Sequence, residues 1–352
     1  MVWGIEASGY VTYTHSYMKN GTAVNDEFFH NKEKKWSEYL AENKYKATDF
    51  QAIVLLPFFA NGSEKLWVGN DLSAFPEGIC ASIELHLPIV DVMMSRTSWS
   101  LTEKQVKLIA GPYADKPMLG DLKSKKPFLL IKATNSDFTP YELYLLQASD
   151  YLGNYFQSDI YACYPERILA NDKKYADTIG SILPYMHNPD TCIINKGSWY
   201  VNHFDVDTSI PRFFGKGAVP DLKVEQKIIA TIPVKPQSQD QLYELSCWFL
   251  VTDKDFSSPY ITLQLLDDNK KSIRTIDMLT KCSVDNQGMW FRAFLFFKIP
   301  ANCTSISCNL LDPSHDSYIA MDELMLRPAE ATIISKTEDG AVMVNNHLFH
   351  VK

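Results

Sequence analysis

The chain lacks most of the signatures that announce a chemistry. No uninterrupted apolar stretch reaches the roughly 20 residues that a membrane-spanning helix needs. Lysine and arginine never cluster over more than a few residues, and the formal net charge is −8, so the basic footprint of a nucleic-acid partner is missing. The seven cysteines (Cys80, Cys163, Cys192, Cys247, Cys282, Cys303, Cys308) contain no Cys-x-x-Cys pair and no zinc-ligand spacing with histidine. They read as buried free thiols, the alternative being a Cys303–Cys308 staple across a hairpin. Met1-Val2-Trp3-Gly4-Ile5-Glu6 has neither the basic start nor the apolar core of a signal peptide. Gly62-Ser63-Glu64 is too short for a phosphate-cradling loop, and no Gly-x-Ser-x-Gly elbow occurs. No assembled catalytic set is legible.

What is present is an ordinary globular composition, 46% hydrophobic and 22% charged, in 352 residues, a length that suits two domains. The clearest pattern lies between Leu242 and Pro328. Phe291, Ala293, Leu295, Phe297 and Ile299 alternate with Trp290, Arg292, Phe294, Phe296 and Lys298, a period of two. Leu245, Cys247, Phe249 and Val251 repeat it, as do Ile261, Leu263, Leu265 and Ile306, Cys308, Leu310. Short alternating strands separated by turn residues predict an antiparallel sandwich over 191–330. A hairpin around Asp339-Gly340 is expected in the tail, 331–352.

The first 190 residues read differently. Apolar runs at Ala52–Leu56, Val90–Met94, Phe128–Ile131 and Ile160–Cys163 alternate with helix-compatible stretches. Thr139-Pro140-Tyr141-Glu142 has a hydroxyl cap, proline at the first helical position and a glutamate that can return the bond; its helix is expected to run to about Phe156. Strand–helix alternation with short connections predicts a small Rossmann-like parallel α/β layer. The fold class is therefore α/β plus all-β, the α/β layer followed by a jelly-roll β-sandwich.

Asp322 shares a register with Ala320, Leu324 and Leu326, so alternation turns it inward, where an ionised carboxylate costs several kcal/mol unless paired or coordinated. Asp205 opens the sandwich, and first and last strands often neighbour one another in jelly rolls. Calcium held by Asp205 and Asp322 with backbone carbonyls would satisfy both, and is the candidate cofactor; without metal, Asp322 needs an arginine or several backbone N–H groups. Arg96, in the loop after the second apolar run, could grip an anion or sugar hydroxyls, or pair with Glu64 or Asp91 to brace its loop. Trp199, Tyr243, Trp248, Tyr260, Trp290 and Tyr318 could stack on sugar rings or fill the core. Trp199, Trp248 and Tyr260, with Arg96, are the candidate ligand-binding residues. Trp248 is out of register with Leu245, Cys247 and Phe249 and should face away from that core.

Leu245-Ser246-Cys247-Trp248-Phe249, Ile261 to Asp267, Gly288 to Arg292 and Ile319 to Leu324 together resemble a carbohydrate-binding jelly roll of the galactose-binding-like superfamily. The resemblance implies a structural calcium held by a Phe-Glu near the first strand and an acidic pair in the last. Phe204-Asp205 and Asp322-Glu323 stand in those places, with aspartate replacing the glutamate of the first. Asp49 to Pro57 and Met93 to Ser98 are similar to the extracytoplasmic region of bacterial multi-spanning membrane glycosyltransferases. That likeness carries no catalytic residue, since the family's acidic residues lie in its membrane part.

These readings converge on a non-catalytic, extracytoplasmic region of a larger bacterial surface or membrane protein that binds an oligosaccharide or polysaccharide and meets a membrane only through segments outside this sequence. The rival is a hydrolase or transferase with its site at the strand ends of the α/β half, near Ser63 and Arg96, and the sandwich as accessory.

Overall fold

The computed structural model describes residues 35–61, 66–69, 71–93, 97–193, 197–205, 211–219, 226–235, 241–251, 259–311, 320–337 and 340–349. Its first half contains α1 (Trp36–Glu42), β1 (Ile53–Leu56), β2 (Ala60–Asn61), β3 (Trp67–Val68), α2 (Phe75–Leu85), β4 (Val92–Met93) and α3 (Trp99–Val106). There follow α4 (Pro117–Asp121), β5 (Phe128–Ala133), α5 (Pro140–Tyr144), β6 (Ser149–Tyr155), β7 (Ser158–Cys163) and α6 (Pro165–Ile182). Helix α5 starts with the expected box: the Glu142 amide donates to the Thr139 hydroxyl, and Glu142 Oε2 accepts from the Thr139 amide at 2.7 Å.

The main sheet of this half has the order β1-β5-β7-β6. Only β1 and β5 run parallel; β7 is antiparallel to both of its neighbours. The expected parallel layer is thus a mixed sheet. The reason is local. The helix predicted to reach Phe156 ends at Tyr144, because Ser149, Asp150, Gly153 and Asn154 favour other conformations and Gly153 has φ 134°, outside the helical region. The segment instead turns at Phe156-Gln157 straight into β7, and a connection that short permits only antiparallel pairing.

The second half contains β8 (Asp190–Cys192), β9 (Tyr200–Asn202), β10 (Gln226–Pro233), β11 (Gln241–Leu250), β12 (Tyr260–Leu266), β13 (Ser272–Leu279) and β14 (Ser283–Gln287). Then come β15 (Trp290–Ile299), β16 (Ser305–Leu311), β17 (Ala320–Pro328), β18 (Ile333–Lys336), β19 (Val342–Val344) and β20 (His347–Phe349). Two antiparallel sheets, β10-β16-β12-β13 and β14-β15-β11-β17-β9, form the β-sandwich. Leu245, Cys247, Phe297, Leu324 and Leu326 of one sheet meet Ile232, Ile261, Leu263, Ile306 and Cys308 of the other. The chain-terminal strands β18, β19 and β20 form a further sheet with β8.

The five-stranded sheet is buried on both faces. On its outer side Phe294 and Phe296 pack with Tyr141 at ring separations of 5.2 Å each, so the α/β half lies directly against the sandwich. All seven cysteines are free thiols. Among the described residues no helix is long and apolar enough to cross a membrane.

Asp322 is buried, but not on the face that alternation assigns. A bulge at Glu323, with φ 55°, shifts the register between β11 and β17 so that Ser246 faces Met325 while Trp248 faces Asp322. Met321, Leu324 and Leu326 therefore enter the sandwich core, and Ala320 and Asp322 turn to the outer face beside Trp248.

Candidate functional site

The outer face of the five-stranded sheet carries an unusually polar interior. Glu244 on β11 accepts from Arg292 of β15 at 2.7 Å, from the Tyr141 hydroxyl at 2.5 Å, and pairs with Arg327 of β17 at 2.5 Å. Neither Glu244 nor Arg292 is exposed. Burial would push the Glu244 carboxyl up; the two guanidinium groups outweigh it and hold the group below the usual carboxylate range.

The tail closes this network. Asn345 and Asn346, with φ 51° and 65°, form the two-residue turn between β19 and β20, both positions needing the left-handed backbone that asparagine tolerates. The Asn345 and Asn346 carbonyls accept from Arg292, and the Asn346 carbonyl also accepts from Trp248 Nε1 at 2.9 Å. His347 follows, stacked on Tyr113 at 4.5 Å, with Nε2 3.1 Å from the Tyr141 hydroxyl and Nδ1 2.8 Å from Asp285. Burial and the nearby Arg292, Arg327 and Lys116 push His347 well below the ordinary imidazole value, so the ring is neutral. Burial raises Asp285 to about 6, opposed by Lys107 and Arg292.

Asp285 lines a cleft of about 670 Å³ between α6, the 107–116 segment and the end of β20. A smaller cleft of about 300 Å³ lies beside His203, Asp205, Arg212 and Lys216. His203 there is clamped between Asp190 and Glu323, and those hydrogen bonds raise it to about 10.

The ligand and metal residues expected from sequence are dispersed. Trp248 does face away from the sandwich core, yet it is fully buried beneath Phe213, stacked at 3.8 Å, so it cannot serve as an open sugar platform. Trp199 is half-buried against Met325, Ala331 and Ile333. Tyr243 and Trp290 are buried. Tyr260 alone of the three candidate platforms sits on the uncovered face of the four-stranded sheet. Arg96, Ser63 and Tyr318 lie outside the described residues. At the end of β1 the described residues leave little room: Phe58 and Phe59 are buried, and Asp91 and Glu142 accept from the amides of 55, 58 and 59.

Strand β9 does pair with β17, which brings Asp205 and Asp322 to opposite sides of one loop. Asp322 Oδ2 accepts from the Phe213 and Phe214 amides at 2.8 and 3.0 Å, and Oδ1 from the Glu323 amide. Asp205 Oδ1 accepts from the Lys216 and Gly217 amides. Oxygens turned toward N–H donors do not fit a shared cation, and no group of three ligand-type side chains gathers among the described residues. Burial, with Glu323 adding to it, raises Asp322 to about 8.

Sequence reasoning missed the Glu244–Arg292–Arg327 cluster and the His347–Asp285 pair. Asn345-Asn346 between Val344 and His347 was the available signal, a two-residue turn with valines on one side.

No family model matches the chain, and no curated protein does. Among solved structures it is similar to the enzymatically active domain of bacteriophage CBA120 tailspike protein 4, with 13% identity over 40% of this chain and 19% of that one and a TM-score of 0.25. It is similar to the CBM22-1 xylan-binding domain of Paenibacillus barcinonensis Xyn10C, with 12% identity over 40% of this chain and 85% of that one and a TM-score of 0.23. The C-terminal family 22 carbohydrate binding module of Clostridium thermocellum Xyn10B gives 13% identity, coverages of 41% and 89%, and a TM-score of 0.22. The chain spans 19% of the tailspike domain's length. Scores of this size define neither a family nor a ligand.

Proposed function

We propose that the chain binds a glycan through the uncovered face of the four-stranded sheet. One observation carries the reading. With Ile261, Leu263 and Leu265 committed to the core, the opposite register of that sheet presents rows of hydroxyl and amide side chains. Thr231, Gln264 and Thr275 stand in one row across the sheet, with the buried Ser307 between Thr231 and Gln264. Thr262 and Asp277, joined by a 2.6 Å hydrogen bond, form the next row beside the buried Asn309, and Tyr260 stands at the end of the array beside Leu311. Strands about 4.8 Å apart set such groups at regular lateral steps, a flat lattice of donors and acceptors suited to hydroxyls along an extended saccharide. Tyr260 adds an aromatic surface for the C–H face of a sugar ring.

Placement in a larger extracytoplasmic protein, such as the region outside the membrane of a glycosyltransferase, extends this reading. The test is a glycan array followed by calorimetry on each hit, in calcium and in chelator. A hit is expected, and Tyr260→Ala with Gln264→Ala should weaken it at least tenfold, about 1.4 kcal/mol. Absence of any hit in both buffers, or a double variant that binds as tightly as the parent, would defeat the reading.

A further inference from the structure

The 670 Å³ cleft falls within the range of about 300–1,000 Å³ typical of small-molecule sites. Its inner wall holds a group that the fold leaves incomplete. Asp285 is 2% exposed, and its Oδ2 is engaged by His347. Among the described residues its Oδ1 is buried with no hydrogen-bond partner, while the Asn286 amide helps to favour the charged carboxylate. A buried carboxylate oxygen without a donor costs about 1–3 kcal/mol or more, and the residue that carries this one borders the cleft.

The rest of the lining defines what could supply the donor. Lys107, Lys116 and Lys173 face the cleft, as do Asp115, Asp172 and Asp177 with Asp285. Lys116 is itself buried and bonds Asp172 at 2.7 Å and the Gly111 carbonyl. Three cations against four carboxylates favour neither a strong anion nor a strong cation. A neutral ligand bearing adjacent hydroxyls can donate to the carboxylates and accept from the ammonium groups of Lys107 and Lys173, Lys116 being committed to Asp172 and the Gly111 carbonyl. Tyr113, Leu169 and Leu348 add apolar wall for its C–H surface.

We infer that this cleft is a binding site for a small neutral saccharide, with Asp285 Oδ1 accepting from a ligand hydroxyl. The site is separate from the open sheet face and does not depend on it. Asp285 must be ionised to leave Oδ1 free as acceptor while Nδ1–H of His347 donates to Oδ2. The groups facing it are His347 of β20, Arg292 of β15, Lys107 after α3, and Asp115 and Lys116 before α4. Since the carboxyl titrates at about 6, affinity is retained above that pH and lost as the pH falls through it.

The experiment is saturation-transfer NMR on the full chain with glucose, galactose, mannose, xylose and N-acetylglucosamine, each titrated at pH 7.5 and 5. At least one sugar should saturate at pH 7.5 and weaken several-fold at pH 5. Asp285→Asn should weaken it at least tenfold. Gly180→Trp should do the same without touching the buried network: Gly180 lines the cleft from α6, and nothing lies within 4 Å of an added Cβ. Tyr260→Ala with Gln264→Ala should leave this binding unchanged, which separates the site from the sheet face. The inference is overturned if no sugar saturates, if Gly180→Trp binds normally, or if inorganic phosphate or putrescine occupies the cleft in place of sugar.

Discussion

The two sheets of the sandwich share one core and differ in what covers their backs. The five-stranded sheet carries the α/β half and the β19–β20 turn on its outer face, and there it buries Glu244, Arg292, Arg327 and Trp248. The four-stranded sheet leaves its outer face open, with Thr231, Thr275 and Asp277 exposed and Ile228 62% exposed. Paired charge sits deep where the sheet is covered, and hydroxyl, amide and solvated carboxylate groups sit at the surface where it is not. A covered charge must find its partners inside the protein, whereas an uncovered hydroxyl can exchange water for a ligand. Stability should therefore concentrate on one sheet and binding on the other.

The hardest test of that division is Glu244→Ala, which strands two buried guanidinium groups. Chemical denaturation should show a loss of about 3–5 kcal/mol. Trp248→Ala removes the ring stacked on Phe213 and leaves a cavity; a loss of about 3–5 kcal/mol is expected in the same assay. Asn346→Val places a β-branched residue at φ 65° and removes the amide that donates to the Ser246 hydroxyl and the Glu323 carbonyl, and should cost about 2–4 kcal/mol in the same assay; Asn346→Gly keeps the backbone and should cost about 1–3 kcal/mol.

A smaller effect is read from pH. The folded value of His203 is raised from 6.5 to about 10, so its contribution is full below 6.5 and declines as pH rises to about 10. His203→Gln should flatten the fall of melting temperature across that window. Least of all, Tyr260→Ala should move stability by only about 0.5 kcal/mol while removing glycan affinity. Were Tyr260→Ala to destabilise the chain like Trp248→Ala, the contrast between the sheets would break.

The sandwich was legible because Ile261, Leu263 and Leu265, and likewise Ile306, Cys308 and Leu310, keep strict alternation against one core. Phe294 and Phe296 stood in the outward register of β15 and were equally visible as apolar; what they pack against was not, since Tyr141 lies far away in the sequence. Asp322 was read as buried and is buried, but one bulge at Glu323 moved it to the other face. Single-residue bulges leave no trace in a two-residue period. The Glu244 cluster was invisible for a different reason. Its members come from β11, β15 and β17, and each taken alone looks like a solvated charge on an amphipathic strand. Only the covering layer makes them interior.

The Asn345-Asn346 turn has a further consequence for the order in which the molecule is completed. Chain synthesis delivers Arg292 and Trp248 well before residues 342–349, whose carbonyls are the acceptors for both side chains. Until those residues have left the ribosome, a guanidinium and an indole wait in a half-built seam. The nascent sandwich can assemble its greasy middle early, but its ionic back can lock only after translation has passed the Asn345-Asn346 turn.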